Sequence, residues 1–311
     1  MRTGNTEYSF TRLSKWESRT QSSEAFRAIL RKHAAQKGEV VVVKILKGAT
    51  VSNGDNDSDP TVGDRWLQEF RLLSKLKHPH IAGLVAFDAR IWSLYIEHKD
   101  GQDLASPKWC FSGGEKAHFF KGSAIDACHI LADIASALAY MGRLGRIGGF
   151  LHGNIKPGNI LYRRNNAKVT RLSQYGAILI DFSDATEGRT FLRKEGTPWY
   201  LAPETFKHRH GRERDMYALG VVMLYLLGNI GLPERTEPPL VWDATSLGLI
   251  AREQIREWHA RVEEWRKSLQ PRKGCTGVEA ELVAIVRTML LQENRLTAEE
   301  LEEATRKWAL Y

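Results

Sequence analysis

The run Glu39-Val-Val-Val-Val-Lys-Ile-Leu46 places four consecutive valines before a single lysine. β-branched side chains favour extended backbone, and a continuous apolar run between Gly38 and Gly48 reads as a buried strand. Lys44, inside that strand, follows too much apolar sequence to be an edge lysine facing water. Beyond it, Gly48–Asp64 is rich in Gly, Asp, Asn and Ser, contains Pro60, and reads as a loop. Trp66, Phe70 and Leu73 then recur at helical steps, which predicts an amphipathic helix closed before His78-Pro79, where the residue preceding proline leaves helical dihedrals. Ala82–Phe87 and Ile91–Ile96 read as two strands joined by a short turn, and His98–Gly101 as a polar connector at a lobe boundary.

Past that connector the pattern changes period. Ile130, Ile134, Leu138 and Met141 mark one face of a long helix, with two short apolar runs around Ile160-Leu161 and Ile178–Ile180. Asp215–Leu227 is apolar nearly all round, as a central helix is. Leu282, Ile285, Val286 and Met289 mark a late helix. A strand-rich first part followed by a helix-rich second part is an α+β pattern. Its divisions are 1–98, a small antiparallel sheet with one helix, and 99–311, larger and helical.

Composition narrows the class. With 311 residues and 42% hydrophobic content, the chain can bury a large core in one large domain or two lobes, and it is neither disordered nor collagen-like. Three widely spaced cysteines, Cys110, Cys128 and Cys275, fit neither a disulfide framework nor a zinc site, so a reducing, intracellular setting (cytoplasmic or nuclear) is expected. The first 30 residues hold no apolar stretch of signal-peptide length, and the longest apolar run, Leu219–Leu227, is too short for a bilayer, so no membrane span is expected. The formal charge of +8 is spread along the chain as solvated surface. No nucleic-acid partner is expected, because no binding motif accompanies that charge.

The chemistry lies in Leu151-His-Gly-Asn-Ile-Lys-Pro-Gly-Asn-Ile-Leu161, followed by Ile180-Asp-Phe-Ser183 and Gly196-Thr-Pro-Trp-Tyr-Leu-Ala-Pro-Glu204. With Lys44 and Glu69 upstream, these segments occur in the order and at the spacings of the eukaryotic protein kinases, and the chain resembles that superfamily, Ser/Thr type, over nearly its whole length. The resemblance implies a bilobal fold that binds ATP with Mg²⁺ (or Mn²⁺) in the interlobe cleft. Lys44 would hold the α/β-phosphates, with Glu69 as its ion-pair partner; the long loop at Gly48–Asp64 accounts for their wide spacing. Asp181 and Asn159 would be the metal ligands, hard oxygen donors of the kind Mg²⁺ selects. Two strands and a turn fit between them. Ile96 would back the adenine pocket, Glu97–Lys99 would form the hinge, Asp103 would reach the ribose, and Val42 and Leu161 would sandwich the base. Leu73, Leu84, His152 and Phe182 resemble the family's stacked residues linking the lobes. Glu204 and Arg295 resemble its buried ion pair, and Asp215 its anchor for the catalytic loop. Lys156 and Thr197 resemble the Ser/Thr-type pair around the catalytic position, where Lys156 would stabilise the transferring phosphate.

Three departures bear on activity. Asn154 stands where the family has its catalytic aspartate; an amide accepts a hydrogen bond but is not a base, and losing a general base typically costs about 10²–10⁴-fold in rate. No glycine lies between Gly4 and Gly38, so the phosphate-covering glycine loop is replaced by about Leu13–Leu30, with Ser14, Ser18, Thr20, Ser22 and Ser23. Asp-Phe-Gly has become Asp181-Phe182-Ser183, tolerable if the serine backbone keeps a negative φ. Gly153 also replaces the family's arginine, which predicts little dependence on phosphorylation of Thr186, Thr190 or Thr197. The expected function is therefore a kinase-like domain that binds ATP–Mg with phosphotransfer absent or strongly impaired, a pseudokinase or an inactivated kinase. The alternatives are an active or residually active Ser/Thr kinase and a nucleotide-free scaffold or interaction module. A protein partner or protein substrate follows in each case. His208-Arg-His210 and Arg212–Arg214 read as a solvated basic loop. Trp258 and Trp265, seven apart, read as one packed helix face in a region that also holds Trp242.

Overall fold

A computed structural model describes residues 9–14, 18–20, 22–31, 38–48, 61–115, 117–144, 149–164, 176–187, 196–207, 211–237, 249–271 and 277–309. Most of the Gly48–Asp64 loop, His208–His210, Thr190, Trp242 and Cys275 lie outside the described residues. The chain divides into two compact units, Met1–His78 with Ala82–Lys99, and Pro79–Ile81 with Asp100–Tyr311.

The first unit is a six-stranded antiparallel sheet carrying one helix. Its strands are β1 (Ser9–Arg12), β2 (Ser18–Arg19), β3 (Ser23–Arg31), β4 (Glu39–Leu46), β5 (Leu84–Asp88) and β6 (Ser93–Glu97), in the order β1-β3-β4-β6-β5 with β2 also on β3. β4 spans the residues that the valine run predicts. Side chains alternate across it: Val41 and Val43 join Phe26, Ala28, Leu30, Ala86 and Tyr95 in the core, whereas Val42 and Lys44 share the opposite face. The strands expected at Ala82–Phe87 and Ile91–Ile96 are shorter, starting at Leu84 and Ser93. Between them Ala89–Ile91 is a 3₁₀ turn, capped by Asp88 accepting the Arg90 N–H, with Trp92 left-handed at φ 50°.

Helix α1 (Val62–Leu73) starts at Thr61, which forms a capping box with Asp64, and it ends five residues before His78. Its buried stripe is Trp66, Glu69, Leu72 and Leu73. Trp66 stacks on Phe70 at 5.1 Å between ring centroids and donates its indole N–H to the Ser93 carbonyl at 3.1 Å, which fixes α1 against β6. Among the described residues of Leu13–Leu30, the stretch expected to replace a glycine loop, most are strand. Between β2 and β3, Thr20 Oγ1 accepts the Ser23 N–H at 3.0 Å and lies 3.2 Å from Ser22 Oγ.

The second unit is helical around α2 (Ala124–Arg143) and α3 (Glu213–Leu226). By length and apolar composition α2 could cross a membrane, but 72% of that window is buried inside the fold. β7 (Gln102–Asp103), β9 (Ile160–Arg163) and β10 (Gly176–Leu179) form a small antiparallel sheet, and β8 (Phe150–Leu151) pairs with β11 (Thr186–Glu187). α4 (Pro233–Thr236), α5 (Leu249–Ser268), α6 (Gly277–Met289) and α7 (Ala298–Thr305) complete it. Trp258 is buried in α5, its ring against Trp199 at 5.1 Å and Trp265 at 5.5 Å, so the tryptophan face is core.

Candidate functional site

In the first unit the buried lysine has found a carboxylate. Lys44 Nζ donates to Glu69 Oε1 at 2.7 Å, with Lys44 8% and Glu69 1% exposed. A glutamate inside the apolar stripe of α1 is tolerable only with such a partner, because an isolated buried charge is prohibitively costly. Val42, on the same face of β4 as Lys44, is in register with Ile96 of β6. Glu97 pairs with Lys99 at 2.8 Å and accepts the Gly83 N–H at 3.0 Å. Burial works against ionisation of Glu97, but these two bonds outweigh it and hold the carboxyl below its ordinary value.

The second unit assembles the loop motifs. Asp215, in the first turn of α3, accepts the backbone N–H groups of His152 (2.7 Å) and Gly153 (3.0 Å). Burial pushes its carboxyl up to about 6, against the pull of those two bonds. His152 Nδ1 accepts the Asn154 N–H at 3.3 Å, so its other nitrogen carries the proton and donates to the Ile180 carbonyl at 3.2 Å. Its ring meets Phe182 edge-on at 4.9 Å. Arg295 grips Glu204 with both arms of its fork, Nη2 to Oε2 at 2.9 Å, and its guanidinium sits over the Tyr217 ring.

Both ends of the Asn154 amide are engaged. Its Oδ1 accepts from the Thr197 backbone N–H (3.2 Å) and from Thr197 Oγ1 (2.9 Å). Its Nδ2 donates to Asp184 Oδ2 at 2.7 Å. A backbone N–H can only donate and a carboxylate only accept, so the amide orientation is fixed by chemistry. Lys156 Nζ donates to Thr197 Oγ1 at 2.9 Å, joining the two residues of the Ser/Thr-type pair. Gly153 sits at φ 81°, and a β-carbon there would lie 2.6 Å from the Asp184 carbonyl oxygen. Glycine is therefore required by this backbone, and an arginine at the position is excluded by it.

The two expected metal ligands bracket the β9–β10 hairpin. Asn159 is buried, and its Nδ2 donates to the Asn154 carbonyl at 2.9 Å, so the carboxamide oxygen is the atom it would offer a metal. Asp181 is left-handed at φ 64° and accepts from Ser183 Oγ at 3.0 Å. Ser183 is not among the residues of positive φ, so serine is accommodated where the family has glycine. Two hard oxygen donors suit Mg²⁺, which keeps several waters and takes one or two protein ligands with phosphate oxygens. Among the described residues no cluster of three or more His, Cys, Asp or Glu side chains could hold a metal by itself. Asp103 and Leu161 are register partners across β7 and β9. The Asp103 carboxylate accepts the Ala105 N–H at 3.0 Å, and burial raises its pKa above the ordinary value against that bond.

Sequence reading missed Asp184. It stands three residues after Asp181, where an acidic residue in a connecting segment carries no periodic signal, and only the fold brings it to Asn154. It also missed the clamp on the segment 196–204. Trp258 Nε1 donates to the Trp199 carbonyl (2.8 Å), His259 Nε2 to the Leu201 carbonyl (2.9 Å), and the Tyr200 hydroxyl to Glu234 (2.8 Å).

Residues 23–305 match the family model described as "Protein kinase domain". The chain is 27% identical over 217 residues to the serine/threonine-protein kinase PkaA of Streptomyces coelicolor, covering 68% of this chain and 36% of that protein. It is 30% identical over 155 residues to the calcium/calmodulin-dependent protein kinase type I of Schizosaccharomyces pombe, covering 49% of this chain and 42% of that one. It also matches the U-box domain-containing protein 70 of Oryza sativa subsp. japonica, 28% identical over 71% of this chain and 27% of that protein. The chain thus spans less than half the length of these relatives. A family match over residues 23–305, on a strand-rich unit with a buried Lys–Glu pair and a helical unit with the assembled loop motifs, makes this chain a member of the eukaryotic protein kinase superfamily.

Proposed function

We propose that the chain binds ATP together with Mg²⁺ or Mn²⁺ and transfers its terminal phosphoryl group poorly or not at all. The observation that carries this reading is Asn154: an amide, engaged on both sides by Thr197 and Asp184, stands where the family's catalytic carboxylate belongs. Phosphoryl transfer in this superfamily is mostly positioning and electrostatic stabilisation, with the carboxylate accepting the acceptor's proton. The positioning groups are kept. Lys44, fixed by Glu69, is the phosphate-facing cation, and Asn159 and Asp181 are the residues that would hold the metal. When bound, the metal neutralises phosphate charge. Lys156 presents an ammonium to the same loop, and the segment 196–204 is the platform for a protein substrate or partner.

The test is a calorimetric titration of ATP–Mg²⁺ beside a phosphotransfer assay with labelled ATP, reading autophosphorylation and a generic basic protein. Binding at millimolar nucleotide or tighter, with turnover at least about 10²-fold below that of an ordinary member of the superfamily, is expected. Absence of binding at millimolar nucleotide would sink the proposal. A second reading, a residually active Ser/Thr kinase, draws on the Lys156–Thr197 bond; turnover within tenfold of an ordinary member decides for it.

A further inference from the structure

The hydrogen bonds through position 154 run in one direction. Lys156 Nζ donates to Thr197 Oγ1 (2.9 Å), Thr197 Oγ1 donates to Asn154 Oδ1 (2.9 Å), and Asn154 Nδ2 donates to Asp184 Oδ2 (2.7 Å). A cation stands at one end and a carboxylate at the other, and each link polarises the next. The backbone is built for this contact. Only a residue without a β-carbon lets the Asp184 carbonyl approach position 153 as it does, and Gly196, at φ 118°, closes on the Gly153 carbonyl in the same way. Asp184 is part-buried, so its carboxylate is held by the amide without being sealed in.

Asparagine and aspartate have nearly the same shape, so the two side chains could exchange places with little change in volume. They could not both be carboxylates, because two carboxylates at 2.7 Å repel. Asn154 and Asp184 are thus a matched pair in which the negative charge has moved by one side chain.

We infer that Asp184 supplies the carboxylate that position 154 lacks: presented by the Asn154 amide, it orients an acceptor hydroxyl and receives its proton. The inference rests on the kinase reading proposed above. In the step it serves, the acceptor oxygen bonds to the terminal phosphorus of ATP, and the bond to the bridging oxygen breaks. The electron pair leaves on the diphosphate, and the hydroxyl proton passes to Asp184. Such turnover as the chain has depends on this residue.

Four proteins test it: the unaltered chain, Asp184→Asn, Asn154→Asp, and the exchange Asn154→Asp with Asp184→Asn. Each is read for phosphotransfer from labelled ATP, for ATP–Mg²⁺ binding, and for melting temperature without nucleotide. Asp184→Asn is expected to lose at least about 10²-fold in transfer with nucleotide affinity unchanged. Asn154→Asp alone is expected to melt roughly 2–4 °C lower, from the facing carboxylates. The exchange is expected to recover both the melting temperature and the transfer. Equal transfer with and without the Asp184 carboxylate, whether both measurable or both nil, overturns the inference, as does an Asn154→Asp protein as stable as the unaltered chain. A chain that binds ATP–Mg²⁺ but fails these comparisons overturns this inference alone; one that binds no nucleotide overturns the function proposed above as well.

Discussion

Ser183 Oγ donates to Asp181 Oδ1 at 3.0 Å, so the residue that replaces the family's glycine holds the carboxylate that would bind the metal. A hydrogen bond of this kind contributes about 0.5–1.5 kcal/mol. Ser183→Ala removes the hydroxyl and keeps the backbone. The Mg²⁺ concentration giving half-maximal nucleotide binding is then expected to fall by up to about tenfold, read by titrating Mg²⁺ at fixed nucleotide. An unchanged or higher Mg²⁺ requirement would show that the serine does not compete with the metal.

Lys44→Met leaves Glu69 charged and buried without its partner. Breaking a buried pair from one side typically costs about 3–5 kcal/mol, whereas replacing both members can be nearly neutral. Lys44→Met is therefore expected to melt far below the unaltered chain, and Lys44→Met with Glu69→Gln to recover most of the loss. Neither is expected to bind ATP. Recovery of binding in the double variant would remove Lys44 from the phosphate-holding role, and additive stability losses would remove the pair from its structural one.

Asp215 gives a pH dependence with a definite sign. Its carboxyl titrates at about 6 in the folded chain, chiefly because it is buried, against an ordinary 3.8. The folded state thus holds this proton more tightly. The resulting stability is fully present below 3.8 and lost as pH rises through about 6. The unaltered chain should gain on Asp215→Asn as pH falls from 7 to 4, by up to about 3 kcal/mol, measured as the gap between denaturant midpoints. A gap that stays constant or narrows on acidification contradicts the burial argument.

Trp258→Phe keeps an aromatic ring beside Trp199 but deletes the N–H that satisfies the Trp199 carbonyl. A buried carbonyl left unpaired costs about 1–3 kcal/mol. Limited proteolysis within 196–204 should quicken, and binding of a protein substrate or partner should weaken more than binding of ATP. Equal protease sensitivity in the two proteins would show that α5 does not brace this segment.

Several elements were legible because one periodicity governed them. β4 is written in its valines, and α1 in Trp66, Phe70 and Leu73, whose partners follow from steps of three and four. The Lys44–Glu69 and Glu204–Arg295 pairs, and the roles expected of Asn159 and Asp181, come from a resemblance that supplies what spacing alone does not. What escaped depended on contacts between distant residues. β3 lacks a continuous apolar run because buried Phe26, Ala28 and Leu30 alternate with less buried positions. The late start of β6 at Ser93 follows from the Asp88-capped 3₁₀ turn before it, which a hydrophobic pattern does not report. Asp184 and Gly153 gain meaning only together, since one supplies a carboxylate and the other the missing β-carbon that lets it approach.

Gly153 sets the order in which this loop can be altered. Any side chain at that position strikes the Asp184 carbonyl at 2.6 Å before it reaches anything else. Restoring the family's arginine thus first requires the segment around Asp184 to withdraw, which takes with it the partner of Asn154. Positions 153, 154 and 184 form one unit of change. In a library of single substitutions, a side chain at 153 and a carboxylate at 154 are each expected to score as a loss of stability even though both lead toward the common kinase sequence.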